Sequence, residues 1–343
     1  MNQKTILGLL GAVGVSLVAV FGCSELPTGP ADSNRMPVKG ITLVDWTSNG
    51  YETPESLTQI NDISLLGANM VTFIVTVYQS DSRASEFRVD PDKTPTQTAI
   101  ANAIVRAKSL SFPLEVSIKP HIDLDNGDWR GDISPRDPAH WFDQYKAFIV
   151  DWARFAEAMR VEQFVVGTEL AGTLEHESRW CDVIRDVRSV YSGELIYAAS
   201  WDEAPLVPFW PDLDVVGVNF YAPVSKRLQT NRLDLLAGWQ PWLSRIRLLH
   251  KKAGREILLT EIGYRSVDGA GMHPYDFRRQ ASVDFQEQAD LYWAALEATG
   301  DKPWIRGMYW WNWFANGSGT DLSTDYTPRR KPAERELDDA WER

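Results

Sequence analysis

"REILLTEIGYRS" (residues 255–266) places Glu261 at the end of a short apolar run that starts at Ile257. Apolar runs of this length, rich in β-branched and aliphatic residues, are typical of buried parallel strands. A carboxylate at the end of such a strand is costly to bury unless it is paired or hydrogen-bonded. Glu261 therefore either marks the end of the strand or takes part in chemistry, and the rest of the chain must distinguish these alternatives.

Similar apolar runs recur along the chain, and segments with helical spacing of apolar residues separate them. The eight strand candidates are "VKGITLVDW" (38–46), "ANMVTFIVTVY" (68–78), "PLEVSIKPHI" (113–122), "QFVVGTEL" (163–170), "ELIYAAS" (194–200), "LDVVGVNFY" (213–221), "EILLTEIG" (256–263) and "IRGMYWWNW" (305–313). Helical spacing is found, for example, at residues 56–67, 96–110, 140–159 and 281–300. Strands and helices are therefore expected to alternate eight times.

Eight such repeats in about 300 residues predict an α/β fold, a closed (β/α)8 TIM barrel. The structural alternative is an open doubly wound sheet, which usually carries a glycine-rich phosphate loop. The sequence has no Gly-x-Gly-x-x-Gly turn after the first strand and no Gly-Lys-Ser/Thr pattern. Because no domain boundary stands out beyond residue 38, residues 38–343 are predicted to form one catalytic domain.

The first 37 residues have a different character from this domain. Lys4 precedes an apolar stretch over residues 6–21, which is short for a transmembrane helix and typical of an export signal. "VFGCS" around Cys23 resembles a bacterial lipoprotein box, so we expect a lipoprotein signal peptide at residues 1–22 and lipidation of Cys23. The alternative is an ordinary cleaved signal peptide. Residues 23–37, rich in Pro, Gly and Ser, are predicted to be a flexible tether.

Composition narrows the partners of the protein. Apolar residues make up 44% and charged residues 24% of the chain, and the formal net charge is −12. Nucleic acids recruit basic surfaces, so an acidic protein of this kind is not expected to bind them, whereas a neutral substrate is compatible with it. The sequence predicts an exported protein, periplasmic or on the cell surface, held at a membrane only through a lipid anchor on Cys23. We expect it to act as a monomer.

Active sites of (β/α)8 barrels form at the C-terminal ends of the strands, which identifies the candidate residues. The polar and aromatic residues at these ends are Asp45, Trp46, Lys119, His121, Asp123, Glu169, Trp201, Asp202, Asn219, Tyr221, Glu261, Trp310, Trp311 and Trp313. Two of them are glutamates, Glu169 on the fourth strand and Glu261 on the seventh. These strands lie across the barrel from each other, so both side chains are able to face one gap.

Two facing carboxyl groups roughly 5 Å apart suit a retaining glycosidase, in which one is the nucleophile and the other is acid and then base. The acid must stay protonated near neutral pH while the nucleophile stays ionised. Lys119, Tyr221 and Arg265 are the neighbours expected to favour the charge on Glu261. The structural alternative is that each glutamate caps a helix or pairs with an arginine, but the joint placement of Glu169 and Glu261 favours catalysis.

Four motifs carry a resemblance to a known family: "VGTEL" (166–170), "LLTEIGYRSVDGA" (258–270), "YWWNW" (309–313) and "DYTPRRKPAE" (325–334). Together they resemble glycoside hydrolase family 113, in the large clan of (β/α)8 retaining glycosidases, over about Val38 to Glu334. The characterised members are mainly β-1,4-mannanases. The resemblance implies that Glu169 is the acid/base, that Glu261 is the nucleophile and that mannan or manno-oligosaccharide is the substrate.

One position departs from the wider clan. Many of its families place Asn before the acid/base to hold the sugar 2-hydroxyl, whereas this chain has Thr168. Asn219 or a residue of "KPHID" (119–123) is then expected to make that contact. Mannan specificity is implied by the family resemblance and not by an individual residue.

Aromatic side chains are expected to stack on sugar rings. Trp310, Trp311 and Trp313 are the main candidates, although at least one should point outward because side chains alternate along a strand. Trp46 and Trp201, which follow the first and fifth strands, are the next candidates. Lys119, His121, Asp123, Asn219, Tyr221 and Arg265 complete the predicted substrate-binding set.

Other chemistries find less support in the sequence. The five histidines show no His-Glu-x-x-His spacing, so no metal or other cofactor is expected. "DLDNGDWRGD" (123–132) is acidic but lacks the spacing of an EF-hand, and we interpret it as a long barrel loop. Two functional alternatives stay open: a glycosidase of the same fold acting on a glucan, a galactan or an envelope glycan, and a surface glycan-binding lipoprotein without turnover.

Overall fold

Eight buried strands lie side by side in the computed structural model, which describes residues 37–228, 230–319 and 322–342. The strands are β1 (Val38–Val44), β2 (Met70–Gln79), β3 (Glu115–Leu124), β4 (Gln163–Thr168), β5 (Glu194–Ser200), β6 (Val215–Phe220), β7 (Ile257–Ile262) and β8 (Ile305–Phe314). A two-residue strand, Phe87–Arg88, pairs antiparallel with the end of β2. The eight predicted strands are therefore present, with ends that differ by a few residues.

The sheet closes on itself. Each strand pairs in parallel with the next, and β1 pairs with both β2 and β8. Gly40 of β1 lies opposite Met70 on one side and opposite Tyr309 on the other. A sheet without free edges needs no further partner, and the prediction of a single (β/α)8 TIM barrel is confirmed.

Helices surround the barrel. In the described part of the chain they are α1 (Pro54–Leu65), α2 (Gln97–Lys108), α3 (Pro138–Ala158), α4 (Glu177–Arg188), α5 (Arg232–Ala253), α6 (Phe285–Thr299) and α7 (Pro332–Trp341). Five of them begin after a side chain that accepts a hydrogen bond from a backbone N–H of the first turn. These capping residues are Thr53, Thr96, Asp137, Asn231 and Asp284.

The connection between β5 and β6 differs from the expected alternation. Two 3-10 turns, Ala204–Leu206 and Trp210–Asp212, stand where the alternation predicts a helix. Proline lacks a backbone N–H and clashes with the preceding helical turn, and this connection carries Pro205, Pro208 and Pro211. The buried ring of Trp210 packs edge-to-face on Tyr197 of β5.

Side chains fill the barrel interior at the N-terminal ends of the strands. The hydroxyl of Tyr309 donates a hydrogen bond to Gln163 Oε1 at 2.6 Å. The Tyr309 ring lies against Gly40, where a Cβ atom would come within 2.3 Å of a ring carbon. The lower half of the barrel is therefore closed, and the functional groups gather at the opposite end, which we call the barrel mouth.

The predicted leader and tether lie outside the described residues. Cys23 and the segments 1–22 and 23–36 belong to this part of the chain, so the lipid anchor and the proposed boundaries stay predictions. Among the helices that the structure describes, none combines the length and the apolar character that a membrane span requires.

Candidate active site

The two predicted catalytic glutamates both lie at the barrel mouth. Glu261 is on β7, and its neighbour in the strand register is Asn219 of β6. Glu169 directly follows β4 and has a φ of 52°. This left-handed backbone is unfavourable for a residue with a side chain by about 1–2 kcal/mol. Hydrogen bonds hold the turn: the N–H of Glu169 donates to the carbonyl of Ala198 at 2.8 Å, and the next N–H donates to the Tyr197 hydroxyl.

Glu261 is surrounded by hydrogen-bond donors. Lys119 Nζ lies 2.5 Å from Oε1, and the Tyr221 hydroxyl donates to Oε2 at 2.8 Å. Both contacts suit a carboxylate that carries a negative charge. The predicted neighbours Lys119 and Tyr221 are thus found beside the predicted nucleophile.

Lys119 belongs to the protein network more than to a sugar site. Its ammonium donates to Asn219 Oδ1 at 3.0 Å, to the carbonyl of Thr260 at 3.1 Å and to Glu261. Three donors are all that a lysine has. Burial lowers the pKa of Lys119, while the negative charge of Glu261 opposes that shift. We therefore correct its predicted role: it positions Glu261, and no donor is left for substrate.

Asn219 connects the two glutamates. Its Nδ2 donates to Glu169 Oε1 at 2.9 Å, while its Oδ1 accepts from Lys119 and from the Thr260 hydroxyl. A continuous chain of hydrogen bonds thus runs from Glu169 through Asn219 and Lys119 to Glu261. The prediction that strands four and seven direct their glutamates into one gap agrees with this geometry.

The second oxygen of Glu169 has partners that sequence reasoning missed. Trp129 Nε1 donates to Oε2 at 3.3 Å, and Arg130 Nη1 lies 3.6 Å from the same atom. Both residues come from the loop after β3, for which the sequence predicted no contact with Glu169. The available signal was a tryptophan and an arginine in a loop at the C-terminal end of a barrel strand. Arg130 also pairs with Asp123 Oδ1 at 2.5 Å.

Glu169 is arranged to hold a proton at higher pH than an ordinary glutamate. Burial raises its pKa, and the negative charge of Glu261 raises it further. Arg130, the Asn219 amide and Lys119 oppose this shift without cancelling it. A carboxyl group that resists ionisation next to a carboxylate held by a lysine is the pairing that acid and nucleophile roles require.

His121 and Trp311 form one wall beside Glu261. Their rings stack at 6.0 Å with an interplanar angle of 15°, and His121 Nε2 lies 3.6 Å from Glu261 Oε1. Burial and the positive charges of Arg130 and Lys119 hold the pKa of His121 well below its ordinary value. The imidazole is therefore neutral at neutral pH. Within the described residues, Nε2 is buried and has no hydrogen-bond partner.

The prediction that Trp310 and Trp313 bind sugar is wrong. Trp310 is 0% exposed and stacks on Tyr292 of α6 at 3.8 Å, while Trp313 is 1% exposed and donates to Gln59 of α1. Both rings point outward into the layer between barrel and helices. At least one of the three was expected to point outward, and Trp310 and Trp313 do so, whereas Trp311 stacks on His121 at the mouth. The register of β8 against β1 shifts between Thr42 and Leu43, so Trp311 and Trp313 do not share a face as strict alternation would require.

Other predicted substrate-binding residues lie around the mouth with different contacts. Trp46 is exposed after β1, and the half-buried Trp201 packs edge-to-face on Trp242 of α5. The Arg265 guanidinium donates to the backbone carbonyls of Thr324 and Arg279. Arg265 thus braces the loops after β7 and β8 and is not the partner of Glu261 that the sequence predicted.

The hydroxyl of Thr168 has a structural partner. It donates to the carbonyl of Pro120 at 2.8 Å and is 1% exposed. Backbone pairing between β3 and β4 involves only the positions around Ser117 and Ile118, so this bond holds the two strands together nearer the mouth. The residue that replaces the clan asparagine is therefore not directed at a sugar hydroxyl.

A group of three carboxylates lies elsewhere in the described chain. Asp268, Asp284 and Glu287 have oxygens within 4.8 Å of one another. The two oxygens of Glu287 accept the N–H groups of Gly269 and Gly271, and Asp284 caps α6. These contacts give the group a structural role in the loop after β7.

The fold and this mouth place the chain among the (β/α)8 glycoside hydrolases. A family model described as Glycoside Hydrolase Family 113 matches residues 41–327. The chain therefore belongs to glycoside hydrolase family 113 and is a glycoside hydrolase. The resemblance of the four motifs is thereby confirmed. A comparison with curated protein sequences finds no match.

Solved structures of family 113 members superpose on this chain. A complex of a family 113 β-1,4-mannanase superposes with a TM-score of 0.82 at 25% identity, over 90% of this chain and 99% of the other. The family 113 β-mannanase AaManA from Alicyclobacillus acidocaldarius, bound to ManMIm, gives 0.82 at 24% identity over 90% and 98%. A β-D-glucuronidase from Dictyoglomus thermophilum shares the fold, with a TM-score of 0.55 at 13% identity over 84% and 47%.

The Lys119–Glu261 pair yields a stability prediction. Lys119→Met leaves Glu261 buried without its cation, and the free energy of unfolding should fall by about 3–5 kcal/mol. Lys108→Met is the control, since Lys108 pairs with Glu162 at 2.7 Å but both side chains are about one third exposed. Its cost should be about 0–1 kcal/mol. Urea unfolding measures both variants, and equal losses would contradict the structural role of Lys119.

The coupling between the glutamates yields a pKa prediction. Glu261→Gln removes a negative charge beside Glu169, so the pKa of Glu169 should fall. The measurement is a ¹³C NMR titration of labelled glutamate carboxyls, with the signal assigned by its loss in Glu169→Gln. Glu175→Gln, at an exposed position of the segment between β4 and α4 that also contains Glu169, should leave the pKa of Glu169 unchanged. An unchanged or higher pKa of Glu169 in Glu261→Gln would contradict the expected repulsion between the two carboxyl groups.

Proposed function

We propose that the protein hydrolyses β-1,4-mannosidic bonds in mannan or manno-oligosaccharides with retention of configuration. Glu261 is the nucleophile and Glu169 the acid/base. The observation that carries this proposal is the hydrogen-bonded chain from Glu169 through Asn219 and Lys119 to Glu261. It joins two carboxyl groups at one site and gives them unlike surroundings, which a double displacement requires.

The mechanism follows from these contacts. A carboxylate oxygen of Glu261 attacks the anomeric carbon, while Glu169 gives its proton to the glycosidic oxygen as the bond to the leaving sugar breaks. Lys119 and Tyr221 hold the Glu261 oxygens in place for attack. In the second step Glu169, now ionised, takes a proton from water, which attacks the anomeric carbon and releases Glu261.

The substrate class rests on the family and on the chemistry of the mouth. The two family 113 structures that superpose with a TM-score of 0.82 are described as β-mannanases, and mannan is the substrate proposed here by analogy. Trp311 presents an aromatic face stacked with His121 next to Glu261. Aromatic faces bind the C–H surfaces of sugar rings, and a neutral polysaccharide is compatible with a net charge of −12.

Catalysis is tested with two variants on mannotetraose. Glu261→Gln should abolish hydrolysis because no nucleophile remains, and Glu169→Gln should lower kcat by about 10²–10⁴-fold because proton donation is lost. Glu175→Gln is the matched control and should retain activity. Proton NMR of the first product should show the β-anomer before mutarotation. Full activity in Glu261→Gln, or an initial α-anomer, would contradict the mechanism.

A panel of glucan, galactan, mannan and envelope glycan, tested with the same wild-type protein, decides the substrate. Preferred release of sugar from a polymer other than mannan would reassign the substrate while leaving the two glutamate roles in place. Tight binding without product, unchanged when both carboxyls are removed, would instead identify a glycan-binding protein.

We further propose that the protein is an exported lipoprotein anchored through Cys23, which would place the barrel near a membrane where glycans are captured. The support is the sequence around "VFGCS" alone. Labelled palmitate should be incorporated into the wild-type chain and not into Cys23→Ala. Cys181→Ala is the control, since it removes the other cysteine of the chain and should keep the label. Equal labelling of Cys23→Ala would contradict the anchor.

A further inference from the structure

The loop after β3 is fixed on several sides. Arg130 Nε donates to the carbonyl of Ile122 at 3.0 Å, and Asp125 pairs with Arg88 at 2.6 Å. From the opposite side of the barrel, Arg278 in the loop after β7 donates to the carbonyl of Gly127 at 2.7 Å. The loop therefore holds its residues in defined positions over the mouth.

Trp129 is the residue that this loop presents. Its ring packs on the backbone of Gly131, where an added Cβ would come within 2.3 Å of ring carbons. Its indole N–H donates to Glu169, yet the residue is 45% exposed. By contrast, Trp141, Trp180 and Trp239 on the surrounding helices are fully buried. An aromatic ring that touches the acid/base and still faces solvent has an open surface for a ligand at the cleavage point.

The contacts of Glu169 indicate which side of that point Trp129 occupies. Oε1 of Glu169 accepts from Asn219, which lies beside Glu261 in the strand register, so this oxygen is on the side of the nucleophile. Oε2 accepts from Trp129, on the other side. The sugar attacked by Glu261 lies on the first side. The sugar that leaves lies beyond the glycosidic oxygen that Glu169 protonates.

We propose that Trp129 forms the leaving-group subsite, with its exposed ring against the departing sugar and, after the glycosyl-enzyme has formed, against an incoming acceptor sugar. This inference rests on the proposed function. It predicts that replacing Trp129 lowers the rate of a step in which a sugar occupies that subsite. The rate of a step whose leaving group is a single atom should stay the same.

The test uses 2-deoxy-2-fluoro-β-mannosyl fluoride. A Glu261 oxygen bonds to the anomeric carbon, the carbon–fluorine bond breaks, and fluoride departs with the electron pair. No leaving sugar and no proton are needed, so Trp129→Ala should be inactivated at a rate within about twofold of wild type.

Mannobiose then releases the trapped enzyme: its hydroxyl oxygen attacks the anomeric carbon, the bond to Glu261 breaks, and Glu169 takes the proton. This acceptor-dependent rate should fall about tenfold in Trp129→Ala.

Two variants distinguish sugar binding by the Trp129 ring from positioning of Glu169 by the indole N–H. Trp129→Phe keeps an aromatic face and loses the N–H, so the acceptor-dependent rate should stay within about threefold of wild type if the ring binds sugar. A loss as large as that of Trp129→Ala would mean that the residue acts only by positioning Glu169. Phe112→Ala removes an exposed aromatic ring that precedes β3, away from the mouth, and should change neither rate.

The outcomes distinguish this inference from the proposed function. Equal loss of both rates in Trp129→Ala, or no loss of either, would overturn the leaving-group subsite. If mass spectrometry finds no label on Glu261 in the wild type, the retaining mannosidase proposal fails instead. The same variants are then compared on the glycan that the wild type hydrolyses, where kcat/KM must fall about tenfold in Trp129→Ala and stay near wild type in Trp129→Phe.

Discussion

The ammonium of Lys119 is the constraint on which the site depends. It is 1% exposed, and burying a lysine is unfavourable unless its charge and all three donors are satisfied. Glu261 supplies the charge, and Asn219 with the Thr260 carbonyl completes the hydrogen bonds. Because Asn219 also reaches Glu169, the requirement of one buried cation fixes the positions of both carboxyl groups.

Only a closed parallel barrel brings these groups together. Lys119 is on β3, Asn219 on β6 and Glu261 on β7, and the sequence separation between Lys119 and Glu261 is 142 residues. In an open sheet, β3 and β7 would lie far apart. Closure through the pairing of β1 with β8 curves the sheet until their C-terminal ends face each other. The electrostatics of the site is thus a consequence of the topology.

Local sequence patterns were sufficient to identify the strands and the residues at their ends. The apolar run before Glu261 and its counterparts before Glu169 and Asn219 identified strands and the residues at their ends. The direction of individual side chains and the fold of the loops depend on contacts between distant segments, which local patterns do not contain. Side-chain alternation predicts that Trp311 and Trp313 share a face, yet Trp311 lies at the mouth and Trp313 is buried under the helices, because the register of β8 against β1 shifts between Thr42 and Leu43. The fold of the loop that brings Trp129 to Glu169 likewise depends on contacts with distant segments.

The structure also narrows the question of how a sugar hydroxyl is recognised. The Thr168 hydroxyl donates a hydrogen bond to the carbonyl of Pro120, and the side-chain oxygen of Asn219 already accepts from Lys119 and from the Thr260 hydroxyl. His121 Nε2 has no partner within the described chain, although a buried polar atom without a hydrogen bond is unfavourable. Since its low pKa keeps the imidazole neutral beside Lys119, it is able to donate to or accept from a hydroxyl. Among the residues predicted to bind substrate, His121 therefore has an unsatisfied hydrogen-bonding atom close to Glu261, which a sugar hydroxyl would satisfy.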